Sequence, residues 1–287
     1  MSDGAPQNPL TPGLYFVATP LGNARDITLR ALDVLRDADV LAAEDTRRLR
    51  QLMDIHAIPL AKRKIIAYHD QNGAKARPLM LSLLEDGKSV AYASDAGSPL
   101  VADPGFALAR DAVAQGAQVQ AIPGPSALVA ALSVAALPTD RFTFAGFPPS
   151  ATGARRTFLT ELAEHRGTLV LYESPKRIAV TLRDAVELFG DDRPAALARE
   201  LTKKFEETRR GTLADLLSSC EADPPRGELV LMIDVAKPEA DAQDVEDALR
   251  TALKDHRLKD AARDVADRFG LSRRDLYQQA LALKDHL

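Results

Sequence analysis

Four loops in this chain hold the residue types from which a ligand crevice can be built. The most telling runs Ser94-Asp95-Ala96-Gly97-Ser98-Pro99 and continues to Gly105. The apolar run Val90 to Ala93 before it reads as a buried strand, and Phe106 to Gln115 after it as a helix. A loop of small residues at the C-terminal end of a strand is where open α/β sheets bind ligands. Gly97 lets the backbone approach a ligand closely, and Asp95 can accept hydrogen bonds from it. The other three loops are Thr19-Pro20-Leu21-Gly22-Asn23, Glu44-Asp45-Thr46-Arg47 and Pro123-Gly124-Pro125-Ser126-Ala127, each after an expected strand. Taken singly, each is equally well an ordinary turn. Four of them at one end of one sheet predict a substantial crevice.

Other chemistries are absent from the motif record. There is no G-x-G-x-x-G, no Walker A sequence and no G-x-S-x-G. The five histidines have no paired metal-ligand spacing, so no metal site is expected. The one cysteine, Cys220, excludes a disulfide framework and fits a reducing cytoplasm. Met1 to Pro12 is polar and is no signal peptide, so it reads as a flexible tail. The most apolar stretch, Ala121 to Leu137, is too short and too interrupted to span a bilayer. With a net charge of −4, any nucleic-acid contact must come from local basic clusters.

The elements that position these loops follow from periodicity. Strands are expected at Leu14 to Ala18, Val40 to Ala43, Lys64 to Tyr68, Val90 to Ala93 and Gln118 to Ile122. Asp26 is expected to cap a helix with Ile27, Ala31, Leu35 and Ala38 on its apolar face, and a further helix spans about Ala74 to Glu85. Strands separated by helix-length segments imply parallel pairing and an α/β fold. Further strands are expected at Phe142 to Phe147, Thr168 to Tyr172 and Ala195 to Arg199, with Leu229 to Val235 closing the second sheet. Arg209 to Leu213 is read as a turn into a helix.

The expected organisation is a tail over 1–12, one α/β domain over 13–124, a second over 125–237 and helices over 244–287. A charged, aperiodic linker follows Ala236. In the last segment Gly270 ends one helix and Ser272 caps the next, a helix-turn-helix pattern. That pattern suits a structural cap as well as a reader of nucleic acid. Arg273 and Arg274 at the start of the final helix lean toward RNA.

The ordered set of motifs resembles one family. It comprises Val17 to Asn23, Asp26 to Ala31, Ala43 to Arg47, Ser94 to Pro104, Ile122 to Ala127, Leu171 to Arg177 and Ala198 to Lys203. Together these are similar to the small-subunit ribosomal RNA methyltransferases of the tetrapyrrole methylase superfamily. The resemblance covers roughly Leu14 to Val235, and a helical tail is also expected in that family. It implies two α/β domains with S-adenosyl-L-methionine in the cleft between them. It implies methylation of the ribose 2′-hydroxyl of a cytidine in the decoding region of 16S rRNA, on the rRNA or the small ribosomal subunit. It also implies a cytoplasmic homodimer with no membrane contact.

Matched by motif, the cofactor residues are Pro20, Leu21 and Gly22 in the first loop, then Asp95, Ala96, Gly97, Ser98 and Val101. Ser126 and Ala127 follow at the second domain, with Tyr172, Glu173 and Leu201 beyond. A ribose hydroxyl is a poor nucleophile, so a base or a cation that favours the alkoxide would help. The candidates are Glu44, Asp45, Glu173, Glu200 and Lys203. Asp45 could instead pair with Arg47 or Arg48 and order its loop. Arg47, Lys176, Arg177, Lys203 and Lys204 are expected to hold RNA phosphates, unless they pair with Glu173 and Glu200. Lys62-Arg63-Lys64 and Arg209-Arg210 are expected to be solvent-exposed. Two rival readings remain open: C-methylation of a porphyrinogen, and a non-catalytic RNA-binding assembly factor.

Overall fold

The computed structural model describes residues 9–102, 104–163, 165, 167–235, 242–269 and 271–284. The first sheet contains β1 (Gly13–Val17), β2 (Val40–Ala43), β3 (Ile65–Ala67), β4 (Ser89–Ala93) and β5 (Val119–Ile122). All are parallel, in the order β3-β2-β4-β1-β5. β1 and β4 are buried at every residue, which is why they read as continuous apolar runs rather than alternating ones. Helices α1 (Leu29–Asp37) and α2 (Thr46–Ile55) cover one face through Ala31, Leu35, Leu49 and Met53. Helices α3 (Gly73–Glu85) and α4 (Phe106–Ala114) cover the other through Met80 and Leu108.

Parallel crossovers put every strand's C-terminal end on one side, so the four loops emerge together. From β1 the chain leads toward β2, and from the neighbouring β4 it leads to β5 on the opposite flank. The loops after β1 and β4 therefore diverge at a topological switch point, where open sheets leave a crevice. Thr19 and Gly97 bind the two loops together by reciprocal N–H···O bonds of 2.9 Å. One local expectation fails here. Asp26 lies in a short 3-10 turn, and Thr28 caps α1 by accepting from the Ala31 N–H at 3.2 Å. Thr28 is the extended residue immediately before the first helical one, and Asp26 comes two positions too early to reach that N–H.

The second sheet contains β6 (Phe142–Gly146), β7 (Gly167–Glu173), β8 (Pro194–Arg199), β9 (Glu207–Thr212) and β10 (Leu229–Val235). Its order is β6-β7-β10-β8-β9, with only β6 and β7 parallel. β10 does not close the sheet at an edge: it inserts between β7 and β8. Its residues Leu229 to Ile233 are buried, as a central strand requires. Arg209 to Thr212 are not a turn but the end of the edge strand β9. Helix α8 (Leu213–Ala222) begins immediately after it, behind a reciprocal Thr212–Asp215 capping box. Helices α6 (Thr152–Ala163), α7 (Ile178–Phe189) and α8 fill one face of this sheet around Leu159, Leu182 and Leu216. Helix α5 (Ala127–Ala135) covers the other through Ala131 and Leu132.

The last three helices are α9 (Ala242–Asp255), α10 (Leu258–Phe269) and α11 (Arg273–Lys284). They share a small core of Leu249, Val265, Leu276 and Ala280. The Ser272 hydroxyl accepts from the Asp275 N–H at 3.4 Å, so it stands at the start of α11. The expected stop at Gly270, most of the expected linker and most of the N-terminal tail lie outside the described residues.

Candidate functional site

A cavity of about 400 Å³ opens between the two sheets, a size that suits a small organic ligand. Leu21 from the loop after β1 and Asp95, Ala96, Gly97, Ser98 and Val101 from the loop after β4 form one wall. Ser126 and Ala127 at the start of α5, with Tyr172 and Glu173 at the end of β7, form the facing wall. Ten residues expected at a cofactor site therefore share one cavity. Gly97 has φ +80°, and a Cβ there would lie 3.1 Å from Leu21 Cδ2, so the position suits glycine on both counts. Leu100 and Ala102 flank Val101 with φ of 70° and 58°. Non-glycine residues hold such angles only where their surroundings impose them, at about 1–3 kcal/mol each. The Ser98 hydroxyl donates to Pro125 O at 3.1 Å and ties the two walls together.

Three expected residues sit elsewhere. Pro20 and Gly22 line an adjoining pocket of about 270 Å³, with Arg48 and Gln51 of α2. Leu201 is buried in the core beneath α5 and does not line the cavity. Conversely, Arg48, Phe147, Ser174, Pro175, Gly227 and Glu228 line the cavity without having been anticipated. Pro224-Pro225-Arg226-Gly227 is a turn signal that could have pointed to Gly227. Phe147 packs its ring edge against Tyr172 at 5.6 Å, a contact with no local sequence signal.

The carboxylates divide by what they already hold. Asp45 caps α2 through the Arg47 N–H at 2.9 Å and accepts from the Arg47 guanidinium at 2.8 and 3.1 Å. These bonds hold its pKa at about 2, which makes it a weak base. Asp95 accepts the Asp45 N–H at 2.8 Å and lies 3.7 Å from Arg48. Glu173 is 3% exposed. It accepts from the Ser174 N–H at 2.8 Å, from Thr181 Oγ1 at 2.6 Å and from Arg177 at 3.3 Å. Glu44 follows β2, and its pKa is raised by burial and by the nearby Asp95 and Asp70 carboxylates, against smaller opposing effects of His69 and Arg48.

Glu200, Lys203 and Glu228 form a bridged cluster. Lys203 Nζ donates to Glu200 at 2.9 Å and to Glu228 at 3.0 Å. The Glu228 N–H donates to Glu200 Oε1 at 2.9 Å, and with Lys203 it lowers the Glu200 pKa. Burial works against the Lys203 ammonium, but the two carboxylates outweigh it and raise its pKa. The Lys203 stem lies against Gly22, so this cluster of the second sheet touches the first loop of the other.

Of the expected phosphate contacts, Arg177 also donates to Pro148 O and to Pro149 O. Lys176, Lys204 and Arg47 are exposed, and Lys204 lies over the Phe205 ring at 5.5 Å. The expected solvent exposure fails for two arginines. Arg63 donates to Leu35 O and Ala38 O, both at 2.9 Å, satisfying carbonyls at the end of α1. Arg209 is 11% exposed and pairs with Glu207 and Asp223. Lys62, Lys64 and Arg210 are exposed, although Arg210 donates to Val134 O.

Among the described residues no cluster of His, Cys, Asp and Glu could hold a metal ion, and no helix is long and apolar enough to cross a membrane. The fold and site define a two-sheet α/β protein with a small-molecule cavity between the sheets. Residues 13–217 match the model of the Tetrapyrrole (Corrin/Porphyrin) Methylases, and residues 239–284 match the RsmI C-terminal HTH domain. Among solved structures, the methyltransferase CobJ matches with a TM-score of 0.60 and 16% identity, over 78% of this chain and 95% of that one. A Thermus thermophilus uroporphyrin-III C-methyl transferase, complexed with S-adenyl homocysteine, matches with a TM-score of 0.54 and 20% identity, over 78% and 98%. Two relatives are named ribosomal RNA small subunit methyltransferase I. The one from Mesorhizobium japonicum is 45% identical over 98% of this chain and 95% of its own length. The one from Pseudomonas aeruginosa is 43% identical over 93% and 96%. The chain belongs to the tetrapyrrole methylase family and, within it, to the ribosomal RNA small subunit methyltransferase I branch.

Proposed function

We propose that this protein methylates the ribose 2′-hydroxyl of a cytidine in the decoding region of 16S rRNA, with S-adenosyl-L-methionine as donor. Near-full-length similarity to relatives named for rRNA methylation carries the reading. We take 13–124 and 125–237 as its two α/β domains and 244–287 as its helical domain. It acts as a homodimer in the cytoplasm, and light scattering at working concentration tests the dimer by its mass.

The cavity's chemistry suits the donor. Ala96, Gly97, Ser98, Ser126 and Ala127 offer small side chains and close backbone, and Leu21 and Tyr172 offer apolar contact. When bound, the cofactor supplies a methyl group on a sulfonium centre whose leaving group is a neutral thioether. The protein's main task is then to hold the ribose oxygen in line with that methyl group and keep water away. We assign removal of the ribose proton to Glu44, at the C-terminal end of β2 and outside the lining of both the cavity and the adjoining pocket, by elimination among the candidate carboxylates. The other candidate carboxylates are already committed: Asp45 to capping α2, Glu173 to the start of α7, and Glu200 to Lys203. Lys203 keeps its proton and so acts as a cation beside the first loop. Lys176 and Lys204 meet the RNA backbone, while Arg177 and Lys203 order the site through Glu173 and Glu200.

Two measurements test the reading. Ribose-methylation mapping of 16S rRNA from a strain lacking this gene should show one cytidine unmodified. The purified protein should restore it with labelled cofactor. Complete modification in the deletion strain would refute the assignment.

A further inference from the structure

Three depressions run end to end across the first domain. The interdomain cavity shares Arg48 and Asp95 with the 270 Å³ pocket beside the first loop. That pocket shares Gln51 and Ile55 with a shallow surface groove of about 950 Å³ between α2 and the edge strand β3. Helix periodicity accounts for this continuity. Leu49 and Met53, four apart, are the buried face of α2. Arg48, Leu52 and Ile55 lie along the flank that lines the pocket. Arg47, Arg50, Gln51 and Asp54, spaced i, i+3, i+4 and i+7, lie along the flank that lines the groove. A helix of 10 residues carries these contacts about 15 Å outward from the cavity.

The charge along this path runs opposite to that of the molecule. Arg47, Arg50, Arg63 and Lys64 line the groove against a single acidic lining residue, Asp54, in a chain of net charge −4. Arg63 is committed to backbone carbonyls, which leaves Arg47, Arg50 and Lys64 as the lining cations that can turn to a ligand. Arg47 pairs with Asp45 at 2.8 Å and Arg50 with Asp54 at 3.1 Å, but these arginine side chains are 89% and 49% exposed. Solvent and salt screen ion pairs of such exposed arginines, so a phosphate can compete with the carboxylate for each guanidinium. Ile55, 58% exposed where pocket and groove meet, offers an apolar surface to a base.

We propose that the RNA strand bearing the methylation target leaves the cavity along α2, its phosphates held in the α2–β3 groove by Arg47, Arg50 and Lys64. This rests on the rRNA methyltransferase reading above. The target nucleotide sits toward the 270 Å³ pocket, next to the cavity, and the flanking nucleotides follow the helix outward. Because phosphate contacts carry no sequence information, this surface sets register and orientation rather than choice of base.

The test is the salt dependence of binding to a single-stranded fragment of decoding-region RNA free of ribosomal proteins. For single strands each phosphate contact contributes about 0.7 to the slope of log affinity against log salt. Between about 50 and 200 mM salt, one lost contact shrinks the affinity ratio about 2.6-fold, and three shrink it about eighteenfold. The variant Arg47→Gln/Arg50→Gln/Lys64→Gln should show that loss, with cofactor affinity and circular dichroism unchanged. Arg47→Lys/Arg50→Lys, which keeps the charges, should retain most of the wild-type slope. An unchanged slope in the triple glutamine variant, or no binding of the fragment by the wild type at low salt, overturns the α2 path. Methyl transfer by the wild type to unmodified small subunits is measured in parallel. If that transfer occurs while the slopes stay equal, only the path is wrong. If it fails, the reading beneath the path is wrong as well.

Discussion

Replacing Gly97 with valine should weaken cofactor binding while leaving the protein folded. Gly97 has φ +80°, so any Cβ imposes a backbone cost of about 1–2 kcal/mol. The added Cβ would lie 3.1 Å from Leu21 Cδ2, and valine's two methyl groups extend further at a wall of the 400 Å³ cavity. Overpacking of this kind costs about 1–3 kcal/mol. If the ligand must yield to those methyls, its affinity falls about 5- to 150-fold, since about 1.36 kcal/mol is a factor of ten. The total is smaller than the roughly 5–15 kcal/mol that holds a domain folded. Calorimetry with S-adenosylmethionine reads the affinity, and urea unfolding reads the stability. Gly116→Ala is the control. Gly116 has φ +78°, and a Cβ there would meet nothing within 4 Å. It lies before β5, at the opposite end of the sheet from the cavity. It should lose only the backbone share, about 1–2 kcal/mol, and keep full affinity. Wild-type affinity in Gly97→Val would place the ligand elsewhere and refute the reasoning.

Three further outcomes follow from the site and its frame. Glu44→Gln should lower kcat about 10²- to 10⁴-fold without changing cofactor affinity. The wild-type kcat should fall at acid pH with a midpoint above the ordinary glutamate value, because the Glu44 pKa is raised; an unaltered acid limb in the variant would exclude Glu44 as the base. Lys203→Met should reduce stability across neutral pH. The lowered Glu200 pKa means its share is present above the ordinary carboxylate range and fades as pH falls through the folded value. The raised Lys203 pKa means its share is present below the ordinary lysine range and fades as pH rises through the folded value. The wild-type advantage should therefore shrink at both extremes, and a pH-independent difference in unfolding free energy would contradict this. Asp184→Ala should cost about 3–5 kcal/mol, because it leaves the buried Arg155, 2.7 Å away, without its main carboxylate partner; a loss under about 1 kcal/mol by urea denaturation would count against it.

The parallel first sheet and the loops that face its crevice were legible in the residues alone. Both are local. A buried parallel strand needs an unbroken apolar run such as Val90 to Ala93, and a ligand loop needs small residues directly after it, as Ala96 to Ser98 supply. The loop that carries Ser126-Ala127 was legible for the same reason, since it follows the strand β5, whereas Tyr172-Glu173 came from the family resemblance alone. Other features depend on pairings across many residues and are set when the strands assemble. Leu229 to Val235 becomes a central strand because β7 and β8 both accept it as an antiparallel partner, and its short apolar run does not distinguish the centre of a sheet from its edge. That insertion brings Glu228 beside Glu200, 28 residues away in sequence, and so sets the partners of Lys203. Arg63 and Arg209 read as surface charge, yet carbonyls and carboxylates supplied by other elements hold them. The carboxylates were candidates of equal standing in the sequence, because a side chain's proton affinity depends on its burial and its neighbours. Folding gave Asp45, Glu173 and Glu200 partners and raised the proton affinity of Glu44 through burial and the approach of Asp95 and Asp70.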